Sequence, residues 1–137
     1  MYVALGDFYY DKDQFNKALE FYKTGFEKNP EDLGLNLALG RFYYKDFKDM
    51  DKAIKYYEKA LNILPENRGL YYVVGKLYEK KGIYNKAIFY VEKAIEISPN
   101  MWKYYNLKGE ILKKQGFAKK SERAFNMARS LKETQGD

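Results

Sequence analysis

One period runs through this chain and constrains its fold more than any single residue does. Gly6, Gly40, Gly75 and Gly109 stand 34, 35 and 34 residues apart. Ala18, Ala53 and Ala87, with Ser121 as a fourth member, keep a spacing of 35, 34 and 34, and Pro30, Pro65 and Pro99 follow the same rhythm. A fixed period near this length marks a supersecondary unit that cannot bury its apolar face alone and must stack on its neighbours. The functional question shifts from which reaction the chain runs to which partner it holds.

Each unit reads as two helices. In the first, Tyr2, Leu5, Phe8 and Tyr9 recur at helical spacing, as do Phe15, Ala18, Leu19, Tyr22 and Phe26. Asp11-Lys12-Asp13-Gln14 makes a polar break between them, and Lys28-Asn29-Pro30 stops the second helix. A glycine inside a helix costs about 1 kcal/mol relative to alanine, so four at one phase imply close packing of helix backbones. Tyr9, Tyr43 and Tyr78, each three residues after its glycine, are the large halves of these joints, and the fourth unit has Leu112 there.

These residues resemble the tetratricopeptide repeat, whose pattern is a large apolar residue, x2, Leu-Gly, x2, Tyr, then Ala-x3-aromatic, then Pro. The copies are Tyr2-x2-Leu5-Gly6-x2-Tyr9, Ala18-x3-Tyr22, Pro30; Leu39-Gly40-x2-Tyr43, Ala53-x3-Tyr57, Pro65; and Tyr71-x2-Val74-Gly75-x2-Tyr78, Ala87-x3-Val91, Pro99. A weaker fourth runs Tyr105-x2-Lys108-Gly109-x2-Leu112, Ser121-x3-Phe125, with Glu133 in place of proline. The resemblance implies an all-α, right-handed superhelical solenoid of antiparallel helix pairs, in which the first helix of each pair lines a concave groove. The expected organisation is a single array over 1–137, with repeats at about 1–32, 33–67, 68–101 and 102–134.

Composition narrows the chemistry. The 137 residues contain no histidine and no cysteine, which removes the commonest general base, thiol chemistry and disulfides. The remaining carboxylates, lysines, serines and tyrosines fall in no catalytic or phosphate-binding signature, so no enzyme, metal or cofactor is expected. No Pro-rich, Ser-rich or single-sign run suggests a low-complexity tail beyond the short Gln135-Gly136-Asp137 end. No apolar run reaches bilayer length and no signal-peptide shape opens the chain. The expected compartment is the cytoplasm, unless the chain is a piece of a longer one.

The two ends differ. Where earlier second helices carry Leu19, Ile54 and Ile88, and then Phe26, Leu61 and Ile95, the fourth carries Glu122 and Arg129. The last helix is therefore expected to face water as a C-terminal cap. At the other end, Phe8 and Tyr9 are as apolar as their internal counterparts and the first helix begins abruptly at Met1-Tyr2. Truncation of a longer array is the favoured expectation, and pairing of the first helix with a second copy is the rival.

Taking the glycine column as phase marker, the residues three before it and one, four and five after it should face the groove. They are Val3, Asp7, Tyr10 and Asp11; Leu37, Arg41, Tyr44 and Lys45; Tyr72, Lys76, Glu79 and Lys80; and Asn106, Glu110, Lys113 and Lys114. Apolar or aromatic groups at Val3, Leu37 and Tyr72 with charge at the mouth suit an extended peptide or a helix; the rival is that Tyr10, Tyr44 and Tyr72 only pack on groove neighbours. Family members that bind chaperone EEVD tails use a Lys/Asn, Asn, Lys/Arg clamp over three repeats. The matching places here are Val3, Asp7, Ala38, Gly69 and Val73, or Leu37, Arg41, Val73, Lys103 and Leu107 in the next frame, and neither supplies it. The extra residue in the second repeat's turn, near Phe47 and Met50, offers either an exposed contact or a plug over the helix ends, and Trp102 is expected to pack between repeats.

Charge is graded along the chain: residues 1–30 are net −1, 31–65 net 0, 66–99 net +2 and 100–137 net +5. The expected partner is a protein or peptide whose acidic part meets the C-terminal half; the bland reading of the gradient is a solvated, lysine-rich surface. Self-assembly through the first helix, and single-stranded RNA binding by the basic half, are the alternatives. RNA is the weaker, because the aromatics sit at the packing phase and acidic residues are interspersed with the basic ones.

Overall fold

The computed structural model describes residues 1–135, so Gly136 and Asp137 of the expected tail lie outside the described residues. Among the described residues there are eight helices and no strand: α1 (Tyr2–Asp11), α2 (Phe15–Lys28), α3 (Leu33–Lys45), α4 (Met50–Ile63), α5 (Arg68–Lys80), α6 (Tyr84–Ile97), α7 (Trp102–Lys114) and α8 (Ala118–Gln135). They pack as helix hairpins, α1 with α2, α3 with α4, α5 with α6 and α7 with α8, as the period requires. The helices gather into two compact units, Met1–Pro65 and the part from Glu66 onward.

Each hairpin closes through one residue in the left-handed region. These are Asp13 (φ 59°), Lys48 (φ 51°), Gly82 (φ 77°) and Gly116 (φ 87°). Around Asp13 the amide of Gln14 donates to the Tyr9 carbonyl at 2.9 Å and that of Asp13 to Tyr10, which satisfies two of the last orphan carbonyls of α1. Ile83 to Tyr78 and Phe117 to Leu112 repeat the closure. The second repeat spans one residue more, with the Asp49 amide reaching Tyr43 at 2.8 Å, so the extra residue is absorbed in the turn and both helices keep their phase.

In the first unit the core lies between the small columns. Ala18 and Ala53 are fully buried, and Tyr22, Phe42 and Leu39 are at most 1% exposed. Built onto Gly6, a Cβ would lie 2.2 Å from the Tyr22 ring, and onto Gly40, 2.8 Å from the Tyr57 ring. Each glycine thus seats the aromatic side chain of its partner helix. Asn36 stands where the first and third repeats have tyrosine. It is fully buried, and its side-chain amide donates to the carbonyls of Pro30 (2.9 Å) and Asp32 (2.8 Å), tying the inter-repeat turn to α3.

The second unit varies the same joint. Gly109 seats Phe125 with a Cβ approach of 2.7 Å. At Gly75 the partner is Val91, and the approach is to backbone, 3.3 Å from the Ala87 oxygen. Ser121 keeps the place of the alanines because its hydroxyl donates to the Gly109 carbonyl at 2.8 Å. Glu122 and Arg129 are exposed, as their charge demands. Trp102 packs under Lys132 of α8, whose ammonium is 4.6 Å from its ring centre.

Candidate functional site

The first-helix face of the first unit is organised from the core outward. Tyr22 on α2 is buried, and its hydroxyl reaches out to donate to the Asp7 carboxylate at 2.5 Å. Burial first, and then that bond to a carboxylate, hold its phenol well above the usual tyrosine range. Asp7, fixed from behind, faces Arg41 of α3 at 3.4 Å. The Arg41 guanidinium also stands 6.0 Å from the centre of the Tyr10 ring. The Tyr10 hydroxyl donates to Asp46 at 3.4 Å, and partial burial followed by the Asp46 charge raises its pKa.

Both Asp7 and Arg41 are about half exposed, so the pair contributes about 0–1 kcal/mol to stability. Its consequence is orientation: the guanidinium is held with donors to spare. Asp7, Tyr10, Asp11, Arg41 and Lys45 line a shallow cavity of about 260 Å³. Five of the sequence-derived positions therefore meet at one place. Val3, Leu37 and Tyr44 are half-buried on the same two helices without lining that cavity.

In the second unit the corresponding face is built on α5 and α7. The Tyr72 ring lies 5.3 Å from the Tyr104 ring and beneath Lys76, whose ammonium is 5.9 Å away. The Glu79 carboxylate is largely buried and accepts from Lys114 at 3.3 Å, joining the two helices. Asn106 donates to Glu110 one turn along α7 at 3.2 Å. Lys80 and Lys113 are exposed at the ends of α5 and α7.

Three participants escaped the phase argument. Tyr22 occupies the aromatic place after alanine, which marks a packing residue, and its ring does pack; only its hydroxyl serves the face. Asp46 lies in the turn, beyond helical phase, and Tyr104 lies off the chosen positions. Phe47 does not stand free: its ring packs 5.0 Å from Phe42 and 6.0 Å from Tyr43, as a half-exposed plug over the helix ends.

Among the described residues no cluster of three or more Asp, Glu, His or Cys side chains could hold a metal, and no helix is long and apolar enough to cross a membrane.

A family model described as tetratricopeptide repeat matches the sequence at residues 1–32, 33–67 and 69–101. No curated protein matches it. Among solved structures, MamA MSR-1 superposes with a TM-score of 0.86 at 19% identity, over 98% of this chain and 76% of that one. MamA AMB-1 gives 0.88 at 20% identity, over 96% and 72%. MamA 41-end from Desulfovibrio magneticus RS-1 gives 0.86 at 18% identity, over 99% and 76%. At such identity the likeness concerns the fold alone.

Proposed function

The chain belongs to the tetratricopeptide repeat family, and on that footing we propose that it is a non-catalytic adaptor that binds a protein segment on its first-helix faces. The observation that carries this reading is the Tyr22–Asp7–Arg41 arrangement. A buried phenol anchors a carboxylate, the carboxylate orients a half-exposed guanidinium, and that guanidinium lines an open cavity beside Tyr10 and Lys45. A guanidinium already directed by Asp7 avoids part of the ordering entropy when it meets a peptide carboxylate.

The favoured ligand is an extended or helical segment, which on the first unit sets apolar side chains near Val3 and Leu37 and a carboxylate near Arg41, and on the second an apolar side chain near Tyr72 and carboxylates near Lys76 and Lys80. The excess of basic residues toward the C-terminus favours an acidic stretch in the part of the ligand that meets α7, where Asn106, Lys113 and Lys114 lie.

A peptide-display selection tests this, run on the parent chain and on a Leu37→Asp, Tyr72→Ala variant that keeps its helical circular dichroism. Enrichment on the parent that the variant loses supports the reading. Peptides enriched equally on both, or none on either, overturn it.

A further inference from the structure

Three of the four repeats fill one internal place in the same way. The residue three after the glycine and the residue three after the alanine are aromatic, and their rings stack. Tyr9 lies on Phe21 at 5.3 Å and 4°, Tyr43 on Tyr56 at 5.7 Å and 2°, and Tyr78 on Tyr90 at 5.5 Å and 13°. A lysine just before the alanine covers each pair: Lys17 is 4.7 Å from the Tyr9 ring, Lys52 5.1 Å from Tyr43 and Lys86 5.3 Å from Tyr78.

The fourth repeat keeps the lysine, as Lys120, whose ammonium lies 5.3 Å from the Phe117 ring instead, and it has neither ring of the stacked pair. Leu112 and Ala124 stand in their places. Aromatic side chains bury about 150–250 Å² each, so losing two leaves a substantial gap unless the helices close over it. They do not close. The Lys108–Glu92 pair at 3.6 Å and the Gln115–Asn85 bond at 3.2 Å tie α7 to α6, while Ser121 on the Gly109 carbonyl and Phe125 against Gly109 fix α8 on α7. What remains is a cavity of about 600 Å³ among α6, α7 and α8.

Its apolar wall includes Ile88, Tyr105, Leu112 and Ala124, with Phe117 and Met127 about half exposed at the mouth. Its rim carries Lys108, Lys120 and Arg123 against one carboxylate, Glu92, which Lys108 already holds. None of the first-helix candidates lines it. The third repeat shows what such a place accepts: the Tyr90 ring sits 6.2 Å from Tyr71 and 5.5 Å from Tyr78, and Tyr105 and Leu112 are the fourth repeat's counterparts.

We propose that this cavity is a second docking site, which takes one tyrosine or phenylalanine side chain of a partner peptide with acidic residues on either side of it. The guest ring occupies the place that Tyr90 fills in the preceding repeat, against Tyr105 and beside Phe117, and the flanking carboxylates meet Lys120 and Arg123 at the rim. The site is independent of the first-helix faces.

The probes are the pentapeptide Ac-Glu-Asp-Tyr-Asp-Glu-NH2 and its alanine counterpart, followed by methyl NMR on the whole chain. Saturable shifts of the Ile88, Leu112, Ala124 and Met127 methyls with the tyrosine peptide are expected, at least tenfold weaker with the alanine peptide. Ala124→Tyr restores one of the two missing rings, and it should abolish binding and raise Tm. Lys120→Glu, at an exposed position, should weaken binding at least tenfold and serves if Ala124→Tyr does not fold. The Leu37→Asp, Tyr72→Ala variant should bind the tyrosine peptide like the parent. Equal shifts from both peptides, no shifts at millimolar peptide, full binding by a folded Ala124→Tyr chain, or the same shifts on concentrating the protein alone (a second copy in the site) would each overturn the proposal.

Discussion

The hydroxyl of Tyr22 donates to the carboxylate of Asp7 at 2.5 Å, and this one bond joins the core of the first hairpin to the face that the chain offers a partner. Tyr22→Phe keeps the ring packed against Gly6 and removes only the donor. A hydrogen bond to a charged group contributes about 1.5–3 kcal/mol when buried, and with Asp7 half exposed a loss of about 1–1.5 kcal/mol in urea unfolding is expected. Groove-selected peptides should bind Tyr22→Phe more weakly, because Asp7 no longer holds Arg41 in place. Unchanged stability and unchanged peptide binding together would dismiss the anchoring role.

Alkaline pH should unfold the chain through its buried phenols. Burial pushes the Tyr57 pKa from 10.0 up to about 12, and Tyr22 is raised by burial and by Asp7. The folded state therefore holds these protons more tightly than the unfolded chain does. Their contribution to stability is complete below pH 10 and is lost as pH rises from 10 through about 12. Tm should stay level up to about pH 9 and then fall. In a titration followed at the phenolate band, the last tyrosines should ionise together with the loss of helical circular dichroism; early ionisation of every tyrosine with the fold intact would contradict this.

The glycine at the first joint is a matter of space rather than flexibility. Alanine at position 6 gains about 1 kcal/mol of helix propensity. Its methyl would lie 2.2 Å from the Tyr22 ring, which is wedged in the core and bonded to Asp7. Overpacking of this kind typically costs about 1–3 kcal/mol, so Gly6→Ala should lower stability despite the better helix former. Thermal unfolding decides it, and a raised Tm would refute the steric account.

The turn at Lys48 points the other way. Lys48 has φ 51°, where a side chain is strained by roughly 1 kcal/mol and the equivalent turns in the later repeats have Gly82 and Gly116. Lys48→Gly should raise stability by about 0.5–1 kcal/mol after the added freedom of the unfolded chain is subtracted. A lower midpoint in urea would show that the lysine side chain stabilises the turn in some other way.

Much of the fold was legible because the helical period, the glycine and alanine columns and the prolines all repeat in one phase, and phase settles which face of a helix is buried. The site was legible only as a face. That α1 and α3 present Asp7, Tyr10, Arg41 and Lys45 on one side follows from counting. That Asp7 and Arg41 meet at 3.4 Å depends on how closely two helices 34 residues apart in sequence approach each other. A second small column at Gly25, Ala60, Ala94 and Ala128 is equally periodic and every member of it is buried, but alanine is also the best helix former, so three of its four members carry no packing signal in sequence.

The sequence by itself determined the helix pairs and the small-residue columns at which they pack, since these are local and periodic properties of the chain. Tertiary structure decided what individual side chains do. Tyr22 became an anchor because its hydroxyl happens to clear the core. Leu112 and Ala124, which read as a weaker copy of the repeat, became part of the wall of a cavity of about 600 Å³ because α6 and α8, both packed on α7, leave the place of the missing rings open. Side-chain volume is written in the sequence, but whether a lost volume collapses or stays open depends on contacts between helices far apart in it.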